Sequence, residues 1–435
     1  MNSLNVTIAG LGKIGIPLAV QFGVKGARVI GYDISRERCA VINDGRNPLT
    51  GEPGLDEKIP GLVVSEHLRA TTDPREAATS ADVIVFIVPV DIDATQRADF
   101  AALDAAVDAL APHLKRGALI IVETTVPVGT TRNRVGVRLG GRIAAVTGMT
   151  PGTDFALAFS PERVSSGSVL LDLQRYPKIV GGIDAHSSAR AAEFYAQMLD
   201  AEIVPVRDAE TAEFSKLVET TYRDVNIALA NEFARIGDAL GLDTLGAIAA
   251  ANTQPYSHVH APGPGVGGHC IPVYPYFLMD PQTAATPPLL ETDLAATARR
   301  INDAMAHYAV DRLAQTLGTL EGATVVVLGL AYRAGVKESR HSSAFGLANA
   351  LLAAGAITYV HDPLFTAAEI RALGLEPPPA WPLPCDALVI QAWHRHYHDL
   401  DLAAFQGLRA VLDARASLDP ASVESKGISY VGIGR

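Results

Sequence analysis

A short, mostly apolar run, Val6 to Ala9, leads into Gly10, Gly12 and Gly15, and Ile14, Leu18 and Phe22 then recur at helical spacing. Gly26 interrupts, and a second strand-like run, Arg28 to Tyr32, ends at Asp33. The pattern predicts strand, turn, helix, strand. In GxGxxG spacing the first glycine permits the tight turn, the second lets the backbone approach a pyrophosphate, and the third lets helix and strand pack closely. The helix N-terminus turns amide donors toward the phosphates. Asp33 stands where a carboxylate accepts hydrogen bonds from the hydroxyls of an adenosine ribose. Its charge would repel a 2′-phosphate, so NAD is the expected cofactor, with Arg36 and Arg38 nearby as the features that argue the other way. ADVIVFIVPV (81–90) and RGALIIVETTVPVGTTRNRV (116–135) continue the strands. Each runs into a proline-containing loop at the strand's C-terminal end, where open α/β sheets bind ligands. The candidate cofactor-binding residues are Gly10, Gly12, Lys13, Ile14, Gly15, Asp33, Arg38, Pro89 and Thr125.

Residues 209–242 hold no proline and end around Gly241, so they read as one long helix. It is too apolar all round for a solvated helix, and burial between domains or subunits is expected. Lys216, Thr220, Arg223 and Ile227 fall on one face of it. Further on, 323–363 repeats the opening order: a strand into Gly329, a helix over Ala344–Ala353, Gly355, and a strand ending at Asp362. The loop after Gly329 is longer than its N-terminal counterpart and lacks the second and third glycines. CDALVIQAW (385–393) and RAVLDA (409–414) add strands. The expected fold class is therefore α/β: two Rossmann-like doubly wound domains joined by a long central helix. Arg333, Lys337 and Arg340 on the second loop make it a candidate for an anionic group.

Composition narrows the function classes. With 435 residues, 48% hydrophobic and 19% charged, the chain can build two or three packed domains. A net charge of −11 without a basic run excludes a nucleic-acid partner. The longest apolar runs are too short to cross a bilayer, and MNSLNVTIAGLG lacks the look of a secretory leader. Three cysteines, Cys39, Cys270 and Cys385, are spaced for neither a zinc site nor a disulfide framework. A cytoplasmic protein with reduced thiols and no metal is expected. Cys39 and Cys385 lie beside apolar strand or helix residues. Cys270 lies in PGPGVGGHC (262–270), where glycines let backbone and ligand come close.

Taken together, GLGKIGIPLA, TTVPVGT, SPERV, TYRDVNIALANE, PGPGVGGHCIP and GLAYR resemble, in order and spacing, the UDP-glucose/GDP-mannose dehydrogenase family over nearly the whole chain. The resemblance is nearest to the bacterial branch that oxidises UDP-N-acetylhexosamines. It implies an NAD-binding domain over 1–200, a central helical dimerisation and catalytic domain over 201–310, and a nucleotide-sugar-binding domain over 311–435, with the active site in the cleft between the two α/β domains. It implies oxidation of a sugar C6 alcohol to a carboxylate in two hydride transfers. Cys270 would be the covalent nucleophile, Lys216 the cation on the oxyanion, Glu162 the base for thioester hydrolysis, and Thr125 a positioning group. Glu162, Arg163, Lys216, Arg223, Gly267 and Arg340 would face the substrate. The implied assembly is a homodimer in which Arg340 reaches the neighbouring subunit's UDP-sugar.

Three positions depart from the family pattern. Tyr274 stands four residues after Cys270, where aspartate is usual, and brings a phenol of pKa about 10 instead of a charge. Thr220 stands where asparagine is usual and keeps one donor. Tyr256 replaces an arginine frequent in the N-acetyl branch. Thr220 and Tyr274 count among the candidate catalytic residues. The expectation is the family reaction with a rearranged proton relay. UDP-glucose or another nucleotide sugar as substrate, an oxidation that stops part-way, and a non-catalytic nucleotide-binding protein remain open from the sequence.

Overall fold

The computed structural model describes residues 3–49, 51–146, 149–165, 167–280 and 292–435. The chain divides into two compact units, 1–219 with 276–291, and 220–275 with 292–435.

The first unit is built on eight strands: β1 (Asn5–Ala9), β2 (Arg28–Tyr32), β3 (Leu68–Thr71), β4 (Val83–Phe86), β5 (Leu119–Val122), β6 (Ala156–Phe159), β7 (Lys178–Gly182) and β8 (Ile203–Pro205). Their spatial order is β8-β7-β6-β5-β4-β1-β2-β3. Strands β1 to β6 pair in parallel, with Val6–Ala9 lying between Val29–Tyr32 and Val83–Phe86. The β6–β7 pair is antiparallel. The order from β3 to β6 is that of a doubly wound dinucleotide fold, with the reversal falling between β1 and β4. Such strands are covered on both faces, which is why VIVF, LIIV and ALAF read as unbroken apolar runs and are buried throughout. Within the 81–90 run, β4 takes only Val83–Phe86, and Pro89 follows three residues later.

Helix α1 (Gly15–Val24) crosses from β1 to β2, and α2 (Ala185–Met198) packs beside it, with Phe194 edge-on to Phe22 at 5.3 Å. Helix α3 (Ala209–Leu240) begins in this unit and passes out of it after Glu219. Its first turns are tied to the loop after β5, where the buried Glu213 carboxylate accepts from the amides of Gly129 (2.6 Å) and Thr131 (2.7 Å).

In the second unit, β9 (Thr324–Leu328), β10 (Ile357–His361), β11 (Ala387–Ile390), β12 (Ala410–Asp413) and β13 (Ser429–Gly432) form an all-parallel sheet in the order β10-β9-β11-β12-β13. The short helix α4 (Tyr274–Met279) follows the cysteine loop and straddles the division between the units. Helices α5 (Asp293–Leu317) and α6 (Ser343–Ala353) pack on the sheet. The internal echo seen in the sequence is structural. The Leu11 amide donates to Asp33 at 2.9 Å, and the Leu330 amide donates to Asp362 at 2.8 Å. Among the described residues no helix is long and apolar enough to cross a membrane.

Candidate active site

At the first βα turn, Gly10 has φ +107°, and a Cβ there would lie 3.1 Å from the backbone of Ile87 and Val88. A Cβ on Gly15 would lie 1.8 Å from the Gly10 carbonyl oxygen, so the helix start can come this close to the turn only with glycine there. Above Gly12, by contrast, no heavy atom comes within 4 Å. Ile14 offers α1 no side-chain cap, and Lys13 is half-buried beside it. Asp33, 8% exposed, accepts from the amides of Leu11 and Ser35 and pairs with Arg38 at 3.1 Å. Arg38 is thereby engaged with the carboxylate, which weakens the case for a cation awaiting a 2′-phosphate. Ile34, 90% exposed next to Asp33, offers apolar surface to a base and was not singled out by the sequence reading. Open space over Gly12, an uncapped helix N-terminus and a carboxylate at the end of β2 fit a dinucleotide. Pro89 is exposed beyond β4, and Thr125 is buried beyond β5.

Thr125 and Glu162 leave the C-terminal ends of the adjacent parallel strands β5 and β6. Glu162 Oε1 accepts from the amides of Arg163 (2.6 Å) and Val164 (2.9 Å), and its Oε2 lies 3.1 Å from Lys178 Nζ. Burial pushes the Glu162 carboxyl up, but the Lys178 charge and these amides outweigh it and hold the group below the ordinary value. Glu162, Arg163 and Lys178 line a small open concavity together with Pro161, Val164 and Tyr176. Lys216 is 6% exposed. Glu219 joins it to the substrate candidate Arg163: one carboxylate oxygen lies 3.8 Å from Lys216 Nζ and the other accepts from Arg163 Nε at 2.7 Å. Glu219 was not anticipated, although its position three residues after Lys216 on a helix was the available signal.

In the second unit the cysteine loop is wedged in place by its glycines. The Gly263 amide donates to Asn231 Oδ1 at 2.8 Å, and Asn231 in turn donates to Asn302 at 2.9 Å. Asn302 and Arg299 of α5 both donate to the buried Asp224, at 2.8 and 2.6 Å. A Cβ on Gly267 would meet Tyr332 Cβ at 2.7 Å, and the Gly268 amide donates to the Arg340 carbonyl at 3.0 Å. The loop after β9 therefore braces the loop that carries Cys270. The Cys270 thiol is half-buried and donates to the Tyr274 hydroxyl at 3.7 Å, so the tyrosine that replaces aspartate stands against the sulfur. Cys39 and Cys385 are buried, and burial raises both thiols, Cys385 to about 12.

Other candidates of this unit are placed less centrally. Thr220 is 2% exposed, whereas Arg223 and Tyr256 are exposed, so the polar face of α3 is not uniformly enclosed. Arg333 leans over the Tyr332 ring, and Lys337 pairs with Glu369 at 2.6 Å. That pair accounts for one of the three cations read as an anion site. Arg415, beyond the end of β12, was missed. Its Nε and Nη2 donate to the Gln391 carbonyl and side chain at 2.7 and 2.8 Å. No carboxylate among the described residues pairs with it, and burial lowers its pKa to about 10.

Residues 4–199 match the NAD binding domain of the UDP-glucose/GDP-mannose dehydrogenase family, 210–304 its central domain and 326–420 its UDP binding domain. UDP-N-acetyl-D-mannosamine dehydrogenase of Salmonella typhimurium is 36% identical over 363 residues, 81% of this chain and 83% of that protein. NDP-N-acetyl-D-galactosaminuronic acid dehydrogenase of Ralstonia nicotianae is 34% identical over 94% of this chain and 95% of its own length. The solved UDP-D-ManNAc dehydrogenase of Pyrococcus horikoshii superposes with a TM-score of 0.87 at 30% identity, covering 99% of both chains. With the dinucleotide turn in place and all three family domains matched in sequence order, the chain belongs to the UDP-glucose/GDP-mannose dehydrogenase family and is an NAD-dependent nucleotide-sugar dehydrogenase.

Proposed function

We propose that this chain oxidises the C6 alcohol of a UDP-N-acetylhexosamine to the carboxylate in two NAD-dependent steps, with Cys270 as covalent nucleophile. The observation that carries the reading is a half-buried thiol on a loop whose glycines leave no room for side chains, braced on one side and facing a phenol on the other. The names of the most similar relatives support the choice of an N-acetylated sugar.

The residues from Gly10 to Gly15, with Asp33, would hold NAD, which supplies the hydride acceptor for each oxidation. Loss of the first hydride leaves an aldehyde, which has no hydride to give until a nucleophile adds. The Cys270 sulfur forms a bond to that carbon. The resulting thiohemiacetal loses the second hydride, and a thioester remains. Lys216 offers its ammonium to the oxygen that gains charge in these steps, a contribution of about 3 kcal/mol in a dry site. Glu162, with Thr125 as positioning group, takes the proton from the water that cleaves the thioester. When the Cys270 sulfur carries charge, the Tyr274 phenol is its donor, and Thr220 keeps one hydroxyl toward the same chemistry. Arg163, Arg223, Gly267 and Arg340 are assigned to the sugar nucleotide.

The test is the ratio of NADH formed to sugar nucleotide consumed, over UDP-glucose, the UDP-N-acetyl derivatives of glucosamine, mannosamine and galactosamine, and GDP-mannose. Two NADH per sugar on an N-acetylated UDP-sugar is expected. A ratio of one, or turnover confined to UDP-glucose or GDP-mannose, overturns the reading.

A homodimer is the assembly we assign. Tyr222, Leu229, Phe233, Ile236 and Leu240 of α3 are 39–66% exposed and recur at seven, four, three and four residues, an apolar stripe that a second copy would cover. Phe233→Glu is expected to shift the mass measured by light scattering to that of one chain. An unchanged dimer, or a wild type that is itself monomeric, removes this face as the interface.

A further inference from the structure

Behind Glu162 lies a line of buried polar groups that the reaction scheme does not use. Lys178, the first residue of β7, has a side chain 5% exposed, and its ammonium lies 3.1 Å from Glu162 Oε2 and 3.2 Å from Glu123 Oε2. Glu123, directly after β5, is completely buried, and the buried Tyr195 of α2 donates to its other oxygen. The Lys178 ammonium also lies over the Tyr195 ring at 5.0 Å. A lysine is taken this far from water only when its charge is matched, and here two carboxylates match it. Burial pulls the Lys178 ammonium down, but Glu123 and Glu162 outweigh it and keep it charged. Burial also pushes Glu123 up to about 7. The three groups differ in what they face. Glu162 and Lys178 reach the concavity, whereas Glu123 and Tyr195 lie inside the core.

We infer that Lys178 is a positioning residue for thioester hydrolysis: it clamps one oxygen of Glu162 while two backbone amides clamp the other, and Glu123 with Tyr195 anchors Lys178 from the core side. A carboxylate held at both oxygens keeps one orientation toward an attacking water, and loss of such positioning costs about 10²-fold in rate. The inference rests on the assignment of Glu162 as hydrolytic base, and the step it concerns comes after both hydride transfers. kcat/KM reports steps only up to the first irreversible one, so a defect confined to hydrolysis lowers kcat and KM together.

Lys178→Met is expected to lower kcat about 10²-fold and to leave kcat/KM for the sugar within about threefold. Intact-protein mass spectrometry of the quenched reaction should then show the sugar thioester accumulating on the enzyme. Lys178→Arg, which retains a cation for both carboxylates, should recover kcat to within about tenfold of wild type. If Lys178→Met does not fold because it strands two acids, Lys178→Met with Glu123→Gln relieves one of them and should give the same adduct. Glu162→Gln, run in parallel, separates the two claims. No adduct in Glu162→Gln overturns the assignment of Glu162 itself. An adduct there, but none with Lys178→Met, overturns the role of Lys178 alone. So does a fall in kcat/KM equal to that in kcat, or an arginine variant as slow as the methionine one.

Discussion

Cys270→Ser is expected to stop formation of the uronic acid, lowering kcat by about 10³-fold or more, equivalent to about 4 kcal/mol in the barrier. A serine hydroxyl is not ionised near neutral pH and adds to the aldehyde poorly, so the second hydride has no good route out. The first hydride transfer needs no nucleophile, so at most one NADH per bound sugar should appear, in a single phase without sustained turnover. The replacement should be structurally mild. The loop is held by backbone contacts, from Gly263 to Asn231 and from Gly268 to Arg340, and not by the sulfur. The thiol is half-buried, with the Tyr274 hydroxyl 3.7 Å away, and a serine oxygen can face the same phenol. Thermal unfolding should therefore match wild type. Two NADH per sugar from the serine variant would end the covalent mechanism, and a lowered melting temperature would transfer the loss of activity to the fold.

The parts of the site legible in the sequence are those fixed by short stretches of chain. A turn, a helix start and the acid after the next strand all fall between Gly10 and Asp33, so local pattern sufficed for the cofactor half. The same held for the echo from Gly329 to Asp362, where spacing alone implied a second sheet. What the sequence did not disclose depends on pairing between distant strands. Lys178 stands in YPKIVGG, which reads as a strand with an ordinary lysine at its edge. Only the antiparallel placement of β7 against β6 brings it to Glu162, 16 residues earlier, and to Glu123, directly after β5. Asp224 and Arg299 meet across two helices and 75 residues. Conversely, Lys337 looked available to a ligand because Glu369, its partner, is 32 residues away. Asp362 also differs from its N-terminal counterpart in what surrounds it. The amides of Leu330, Ala331 and Leu364 and the buried His394 all donate to it, so its oxygens are directed into the fold.

The paired substitutions Gly12→Ala and Gly15→Ala should separate cofactor approach from packing. At Gly12 a methyl group meets no protein atom within 4 Å, and the backbone there is not in the left-handed region. Stability should hold or rise by about 0.4–1 kcal/mol, because alanine narrows the unfolded ensemble. The methyl would occupy the space into which a pyrophosphate must come, and NAD affinity should fall about 10- to 100-fold, or roughly 1.4–2.8 kcal/mol. At Gly15 the same methyl lies 1.8 Å from the Gly10 carbonyl oxygen and 3.1 Å from Ile87 Cγ2. The first of these is backbone and cannot swing aside, so α1 must move off β1, at a cost of about 3 kcal/mol or more. For a unit of this size that is a drop of roughly 6–12 °C in melting temperature. Calorimetry and NAD titration on both variants give the discriminating pattern: Gly12→Ala stable but weakly binding, Gly15→Ala unstable and weakly binding as a consequence. Wild-type NAD affinity in Gly12→Ala would mean that the pyrophosphate does not approach this backbone. Wild-type melting in Gly15→Ala would mean that the contact between α1 and the turn is looser than its geometry demands.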